Sequence, residues 1–304
     1  MATSEALHER FQRNTVFAVR LSVCEAKDPK GKLVEGVRAA GARIGELKLL
    51  GIRPGALEYE MTVFTGGDEQ MAAVRAAMAA VDGVTVLDVI DAAMESHRGG
   101  ACEMRSRAPI RSNTDLRIVY TPGVARVCKA IQADPALARQ YTNIANKVAI
   151  ATNGTAILGL GDIGPLAGLP VMEGKSAIFW EFAGVSAEPL LIDTHDPDEF
   201  IAIVKKLAVG FGAIQIEDVK APECFRITRE LDAALPIPVF HDDQHGTATI
   251  VLAGLLSALK KTGKKMKNLT VAISGAGAAG TAVTELLQNA GVDDVVLCDR
   301  AGAL

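Results

Sequence analysis

The sequence predicts a mixed α/β protein built from three successive segments, and three observations carry that prediction. Up to about Ala92, β-rich runs and helical periodicities follow one another in the order βαββαβ. From about residue 112 to 266, strands and helices alternate as βαβ units, which imply a parallel sheet with helices packed on it. From Lys267 onward come a strand, a glycine-rich turn, a helix and another strand.

In the first segment (1–92), "NTVFAVRLSV" reads as a strand and "KLVEGVRAAGARI" carries apolar residues at helical spacing. "ELKLLGI" and "ALEYEMTVF" read as strands joined by the turn residues Arg53-Pro54-Gly55. "DEQMAAVRAAMAAV" is a helix with Asp68 as N-cap, and "VTVLDVI" is the closing strand. Residues 93–111, polar and mixed in charge, read as a linker with Gly99-Gly100 as its hinge. In the second segment (112–266), "NKVAIAT" and "TAILGLG" flank Asn153-Gly154, a tight-turn signal between strands. "DPDEFIAIVKKLAVGFG" opens as a capped helix, with Asp196 as N-cap, Pro197 at the first position and Glu199 three residues on. Strand "AIQIED", helix "PECFRITRELDAAL" and strand "IPVFHDD" complete a βαβ unit. In the third (267–304), "LTVAISGAGAAGTAVTELLQNAG" is strand, turn and helix, followed by strand "DDVVLCDR".

Composition narrows the classes of function. The 304 residues are 49% hydrophobic and 22% charged, an ordinary globular balance. The net charge of −4, from 32 basic and 36 acidic residues without a basic block, argues against nucleic acid or an anionic membrane as partner. The charged N-terminus lacks a signal-peptide core, and no apolar run approaches the roughly 20 residues that span a bilayer. Cys24, Cys102, Cys128, Cys224 and Cys298 are scattered without a CxxC, which points to free thiols and a cytoplasmic location.

Two acidic pairs end two strands of the same βαβ unit: Glu217-Asp218 and Asp242-Asp243. Ligands of open α/β sheets lie beyond the carboxyl ends of the strands, so both pairs can face one crevice. Four converging carboxylates repel unless a cation lies among them, and oxygen ligands suit Mg²⁺ or Mn²⁺. Either pair alone reads more readily as a cap on the following helix; two pairs at matching strand ends favour a metal. His241 and His245 have the spacing of a zinc pair, but they straddle a strand end instead of sharing a helix face, so zinc is disfavoured. His245 then supports the site from outside or fills the core.

"SGAGAAG" places Gly275, Gly277 and Gly280 between a strand and a helix. Gly275 permits the tight turn, Gly277 lets the backbone approach a pyrophosphate, and Gly280 lets helix and strand pack closely. Asp299 ends the next strand, 19 residues past Gly280, where an acid binds a ribose hydroxyl. Asp299 favours NAD, whereas Arg300 beside it suits the 2′-phosphate of NADP.

The blocks "RIVYTPGVA", "ILGLGDIGPLAGLPVMEGKSAIF", "IQIEDVKAPECF", "FHDDQHGTA" and "SGAGAAG" resemble, in order, those of the bacterial branch of the malic enzyme family. The resemblance runs from about Ser112 to the end. It implies a malic enzyme catalytic domain followed by the start of a Rossmann domain. It further implies metal-dependent oxidative decarboxylation of L-malate to pyruvate and CO₂, with Mg²⁺ or Mn²⁺ and NAD or NADP. By position it makes Tyr120 the general acid and Lys175 the general base, with Glu217, Asp218 and Asp243 as metal ligands. Asp242 falls in the catalytic hydrogen-bond network, and Ala276, Ala278 and Ala279 fall on the pyrophosphate turn with the three glycines. Taken alone, Lys175 would read as a surface lysine and Tyr120 as a packing residue. Lysine acts as the base only if its amine is neutral, which requires burial and nearby charge to lower its pKa. Ala156 stands where animal members carry a substrate-binding arginine. The family also implies a homodimer.

The βαββαβ order and size of the first segment resemble an ACT domain, which implies a small-molecule effector; a plain dimerisation module is the other reading. The dinucleotide segment supplies two strands where several more are needed, so the sequence leads us to expect a truncated and poorly active chain. Two further readings stay open: a non-catalytic regulatory or dimerisation fragment, and a malolactic-type enzyme that keeps its NAD bound.

Overall fold

The computed structural model describes residues 15–304, so the charged N-terminal stretch lies outside the described residues. The chain divides into two compact units, one reaching Gly100 and the other starting at Ala101. That division falls directly after the Gly99-Gly100 pair, where both residues adopt positive φ (86° and 93°).

The first unit contains β1 (Thr15–Cys24), α1 (Lys30–Ala39), β2 (Arg43–Arg53), β3 (Ala56–Thr65), α2 (Asp68–Ala79) and β4 (Val84–Asp91). Its sheet runs β2-β3-β1-β4, antiparallel throughout. Alternation along β1 sends Phe17, Val19, Leu21 and Val23 to one face. There they form a single core with Leu33 and Val37 of α1, Met71, Val74 and Met78 of α2, and Met61 and Val63 of β3. The helical spacing assigned to "KLVEGVRAAGARI" stops short: α1 ends at Ala39, and Arg43 and Ile44 already belong to β2. Asp68 is not the N-cap of α2; Gly67 is, at φ 125°. The Gly66 N–H is taken by Gln70 Oε1 (2.6 Å), and Asp68 sits in the first turn, where its charge favours the helix dipole. The stretch read as a linker opens with a short helix, α3 (Ala92–Ser96), capped by Asp91, whose Oδ1 accepts from the Ala93 and Met94 amides at 2.8 and 3.0 Å.

The second unit starts with α4 (Asn113–Val119), α5 (Val124–Ala133) and α6 (Ala138–Tyr141). Next come β5 (Lys147–Thr152), α7 (Pro165–Ala183), β6 (Ser186–Leu191), α8 (Pro197–Leu207), β7 (Ala213–Ile216), α9 (Glu223–Ala234) and β8 (Val239–His241). The four strands form a parallel sheet in the order β6-β5-β7-β8. Ala149 and Ala151 of β5 and Ile214 and Ile216 of β7 pack with Phe200 and Val204 of α8 and Ile227 and Leu231 of α9. A smaller cluster of Ile150, Ile157 and Met172 includes a residue of α7. Burial on both sides explains why these strands read as apolar runs without alternation.

Past β8, α10 (Thr247–Thr262) leads to β9 (Thr270–Ser274), α11 (Ala278–Asn289) and β10 (Asp294–Cys298). β9 and β10 form a separate parallel pair. α11 packs on α10 through Ala248, Ala282, Val283 and Leu287. These elements all belong to the unit that runs from Ala101 to Leu304.

"TAILGLG" is a loop carrying only an isolated bridge between Ile157 and Gly161, not the second strand of a hairpin. Gly154 explains the change. At φ 68°, a Cβ there would lie 2.3 Å from the Gly164 carbonyl, so the chain folds back on itself. α8 begins as expected, with Asp196 accepting from the Asp198 amide at 2.9 Å. Glu199, however, accepts from the Thr194 hydroxyl (2.6 Å), and it is Thr194 Oγ1 that takes the Asp196 amide (3.1 Å). Among the described residues, no helix is long and apolar enough to cross a membrane.

Candidate functional site

β7 and β8 are parallel neighbours in which Ile216 pairs with His241, so Glu217-Asp218 and Asp242-Asp243 leave adjacent strand ends together. The Glu217 amide adds one more rung, donating to Ala151 O at 3.0 Å. Asp218 then turns through a left-handed conformation (φ 51°), held by the Ala156 amide on its carbonyl at 3.0 Å. Thr155 Oγ1 ties the same loop to the chain two residues past Asp218 by accepting from the Lys220 amide at 3.0 Å. After His241 the chain makes a π-type turn, Asp242–Gly246, before entering α10. Lys175 reaches in from α7. Its Nζ lies 3.0 Å from Glu217 Oε1 and 2.6 Å from Asp242 Oδ2.

Glu217 and Asp218 are each 5% exposed. Burial, followed by the neighbouring charges of Asp243 and Glu217, pushes the Asp218 carboxyl up to about 7. Among the described residues, its Oδ2 is buried without a hydrogen-bond partner. Burial also raises Glu217, although Lys175 works against it. Burial pulls the Lys175 ammonium down, but Asp242 and Glu217 outweigh that and raise its pKa. The sequence reading required the opposite for a neutral base; the two carboxylates hold the proton on.

Asp243 Oδ2 lies 3.1 Å from Nε2 of the fully buried His241, whose Nδ1 lies 2.8 Å from Gln244 Oε1. Burial disfavours the His241 cation, yet its hydrogen bonds with Asp243, Cys224 and Gln244 carry the pKa to about 10. Burial raises Asp243, but the His241 hydrogen bond and charge, the Asp218 amide and the Lys175 charge together offset it and leave its pKa lowered. His245 Nδ1 accepts from the His241 amide at 3.2 Å, and its ring meets Phe240 at 5.5 Å between centroids. The two histidines therefore make no zinc pair: both ring nitrogens of His241 are engaged elsewhere.

Lys175, Glu217, Asp218, Asp242 and Asp243 are thus brought into one crevice. Among the described residues, no three acidic, histidine or cysteine side chains already close on a common point. Lys175 bridges Glu217 and Asp242, and His241 holds Asp243, so cationic side chains meet the negative charge from within the chain. Tyr120 is not drawn in: it ends α4, 66% exposed, and no hydrogen bond among the described residues engages its hydroxyl.

Three supporting residues escaped the sequence reading. Gln215 is buried in β7, and its Nε2 donates a short bond to Glu217 Oε2. An amide inside an apolar strand, two residues before an acid, was the available signal. Gly246 gives Asp242 its seat, since a Cβ there would lie 2.1 Å from Asp242 Oδ1. Thr155 anchors the loop beside Asp218, a contact without any local sequence signal.

The second sequence-predicted site is built from backbone. Gly275 adopts φ 118°, and its amide donates to Cys298 O at 2.8 Å, which joins the turn to the end of β10. Gly277 caps α11 and has open space where a Cβ would stand. At Gly280 a Cβ would lie 1.7 Å from Gly275 O, the close helix–strand approach expected there. An open cavity of about 610 Å³ borders the turn, lined by Val251, Ile273, Gly275, Gly277, Ala278 and Ala279; Ala276 lies between the first two glycines. Asp299 follows β10, and its Oδ1 accepts from the Ala301 and Gly302 amides at 2.7 and 3.1 Å.

The chain is similar to known proteins over both segments. Residues 100–196 match the family described as malic enzyme, N-terminal domain, and residues 244–302 match malic enzyme, NAD binding domain. The chain is 49% identical over 245 residues to the NAD-dependent malic enzyme of Geobacillus stearothermophilus, covering 81% of this chain and 51% of that protein. It is 49% identical over 205 residues to the bifunctional malic/malolactic enzyme of Bacillus subtilis, covering 67% and 50%. The crystal structure of malic enzyme from Pyrococcus horikoshii superposes with a TM-score of 0.68 at 47% identity, over 69% of this chain and 51% of that one. The chain spans about half the length of these relatives. With the parallel sheet, the dinucleotide-type turn and both family segments in place, the chain belongs to the malic enzyme family.

Proposed function

We propose that this chain carries the substrate-activating half of an enzyme that oxidises L-malate and decarboxylates it to pyruvate and CO₂, reducing NAD or NADP. The observation that carries the reading is Lys175, bridging Glu217 and Asp242 beside the partnerless oxygen of Asp218. A carboxylate raised by burial and by like charges, with one buried oxygen left without a hydrogen bond among the described residues, fits a cation, and an all-oxygen donor set fits Mg²⁺ or Mn²⁺. Glu217, Asp218 and Asp243 would hold it. When bound, such an ion polarises the C2 oxygen of malate and offsets the carboxylate charge that keeps the Lys175 proton on.

The chain's own groups then have distinct tasks. Lys175 Nζ, after giving its own proton up to solvent, takes the C2 hydroxyl proton, and Asp242 Oδ2 orients the amine through its 2.6 Å contact. Gly275, Gly277 and Gly280, with Ala276, Ala278 and Ala279, offer backbone amides and a helix N-terminus to the pyrophosphate. The nicotinamide supplies the hydride acceptor. Asp299 receives the ribose, with Arg300 alongside for a 2′-phosphate. Tyr120 returns a proton to C3 of the enol, which requires its exposed ring to meet the substrate.

For the first unit we propose an ACT-like module that binds a small effector, supported by the βαββαβ order and the sheet order β2-β3-β1-β4. A homodimer and a cytoplasmic setting complete the reading; five free cysteines support the latter. The test is reduction of NAD or NADP with L-malate and Mn²⁺, compared with Lys175→Met. Lactate formation in place of released NADH would favour the malolactic reading instead.

A further inference from the structure

We infer that Gln215 is a positioning residue that fixes the Glu217 carboxylate for a divalent cation, with His241 as its counterpart behind Asp243. The inference rests on the metal reading proposed above. Gln215 is 2% exposed within β7 and lies two residues before Glu217, so both side chains leave the strand on one face. Its Nε2 donates to Glu217 Oε2, while Glu217 Oε1 meets Lys175 Nζ at 3.0 Å. The two oxygens of Glu217 therefore have separate partners, and rotation of the carboxylate would break both contacts.

The chemistry of the donor matters. An amide restrains the carboxylate without cancelling its charge, whereas lysine or arginine at 215 would compete with the cation. At the end of β8 the restraint comes instead from a cationic side chain, His241. His241, fully buried, places Nε2 3.1 Å from Asp243 Oδ2 and is itself fixed by Gln244 on Nδ1. Thr228 Oγ1 meets Gln244 Oε1 at 3.4 Å and steadies that second contact. Among the described residues, Asp218 has no side-chain anchor of this kind; its place is set by backbone, at φ 51°. Two of the three proposed ligands are thus restrained by buried side chains and the third by the fold of the chain. Groups that orient metal ligands in this way typically change metal affinity by about 10–100-fold.

The test is a Mn²⁺ titration of the full 304-residue chain, followed by the EPR signal of free Mn²⁺, beside the melting temperature without metal. Gln215→Met keeps the side-chain length and removes the donor. It is expected to weaken Mn²⁺ binding about tenfold or more, with the metal-free melting temperature almost unchanged. Should that variant fail to fold, Gln215→Asn, which retracts the amide by one methylene, carries the same expectation. Affinity equal to wild type, or lost only in step with the melting temperature, overturns the inference. Failure of the wild-type chain to bind Mn²⁺ overturns the metal reading itself.

Discussion

The carboxylate crevice and the glycine turn both lie at the carboxyl ends of parallel strands, yet they are held in opposite ways. In the crevice, side chains do the holding: Lys175, Gln215 and His241 each grip a carboxylate, and only Asp218 depends on backbone. In the turn, backbone does nearly everything, from the Gly275–Cys298 hydrogen bond to the contact that only hydrogen allows at Gly280. One site is tuned by charge and the other by shape. Substitutions should therefore fail differently in the two places.

The largest effect is expected at Gly280. A methyl group 1.7 Å from Gly275 O must move backbone, so Gly280→Ala should destabilise by about 3 kcal/mol or more, read by urea unfolding. Gly277→Ala, with open space at the same atom, should leave stability unchanged and weaken binding of the dinucleotide instead. Equal destabilisation by both would break the shape half of the comparison.

The crevice should respond in activity before stability. Gly246→Ala forces the Asp242 carboxylate off its seat and away from Lys175, and misplacement of this kind costs about 10²-fold in turnover. Stability should barely change, because Asp242 is partly open to solvent. Asp218→Asn removes a buried charge that Glu217 and Asp243 repel, so the metal-free chain should gain about 1 kcal/mol. A loss of stability on that substitution would contradict the electrostatics described for the crevice. The smallest effect lies away from both sites: Asp196→Ala removes the α8 cap and should cost about 1 kcal/mol without altering activity.

The two sites also differed in how much of them could be read from sequence. The glycine turn was legible because its requirements are local: three glycines at fixed spacing between a strand and a helix. The two acid pairs were legible as charge at the ends of apolar strands. Which groups held them was not, since Lys175 comes from a distant helix, and Gln215 looked like one more strand residue. What holds the proton on Lys175 was not legible, because its carboxylate partners become neighbours only in the folded sheet. "TAILGLG" was read as a strand because the turn signal at Asn153-Gly154 is real, whereas the contact between Gly154 and Gly164 that redirects the chain is tertiary. Asp68 carries a similar lesson: an acid at a helix start reads as its cap, but Gly67 takes that position and Gln70 receives the Gly66 amide.

The central claim is that Glu217, Asp218 and Asp243 together hold one divalent ion. The most direct measurement is the thermal unfolding of wild type and Asp218→Asn, with and without Mn²⁺. Mn²⁺ at about 100 times its dissociation constant should stabilise the wild-type chain by about 2.7 kcal/mol, and it should leave Asp218→Asn almost unmoved. The same Mn²⁺-induced shift in both proteins would contradict the account.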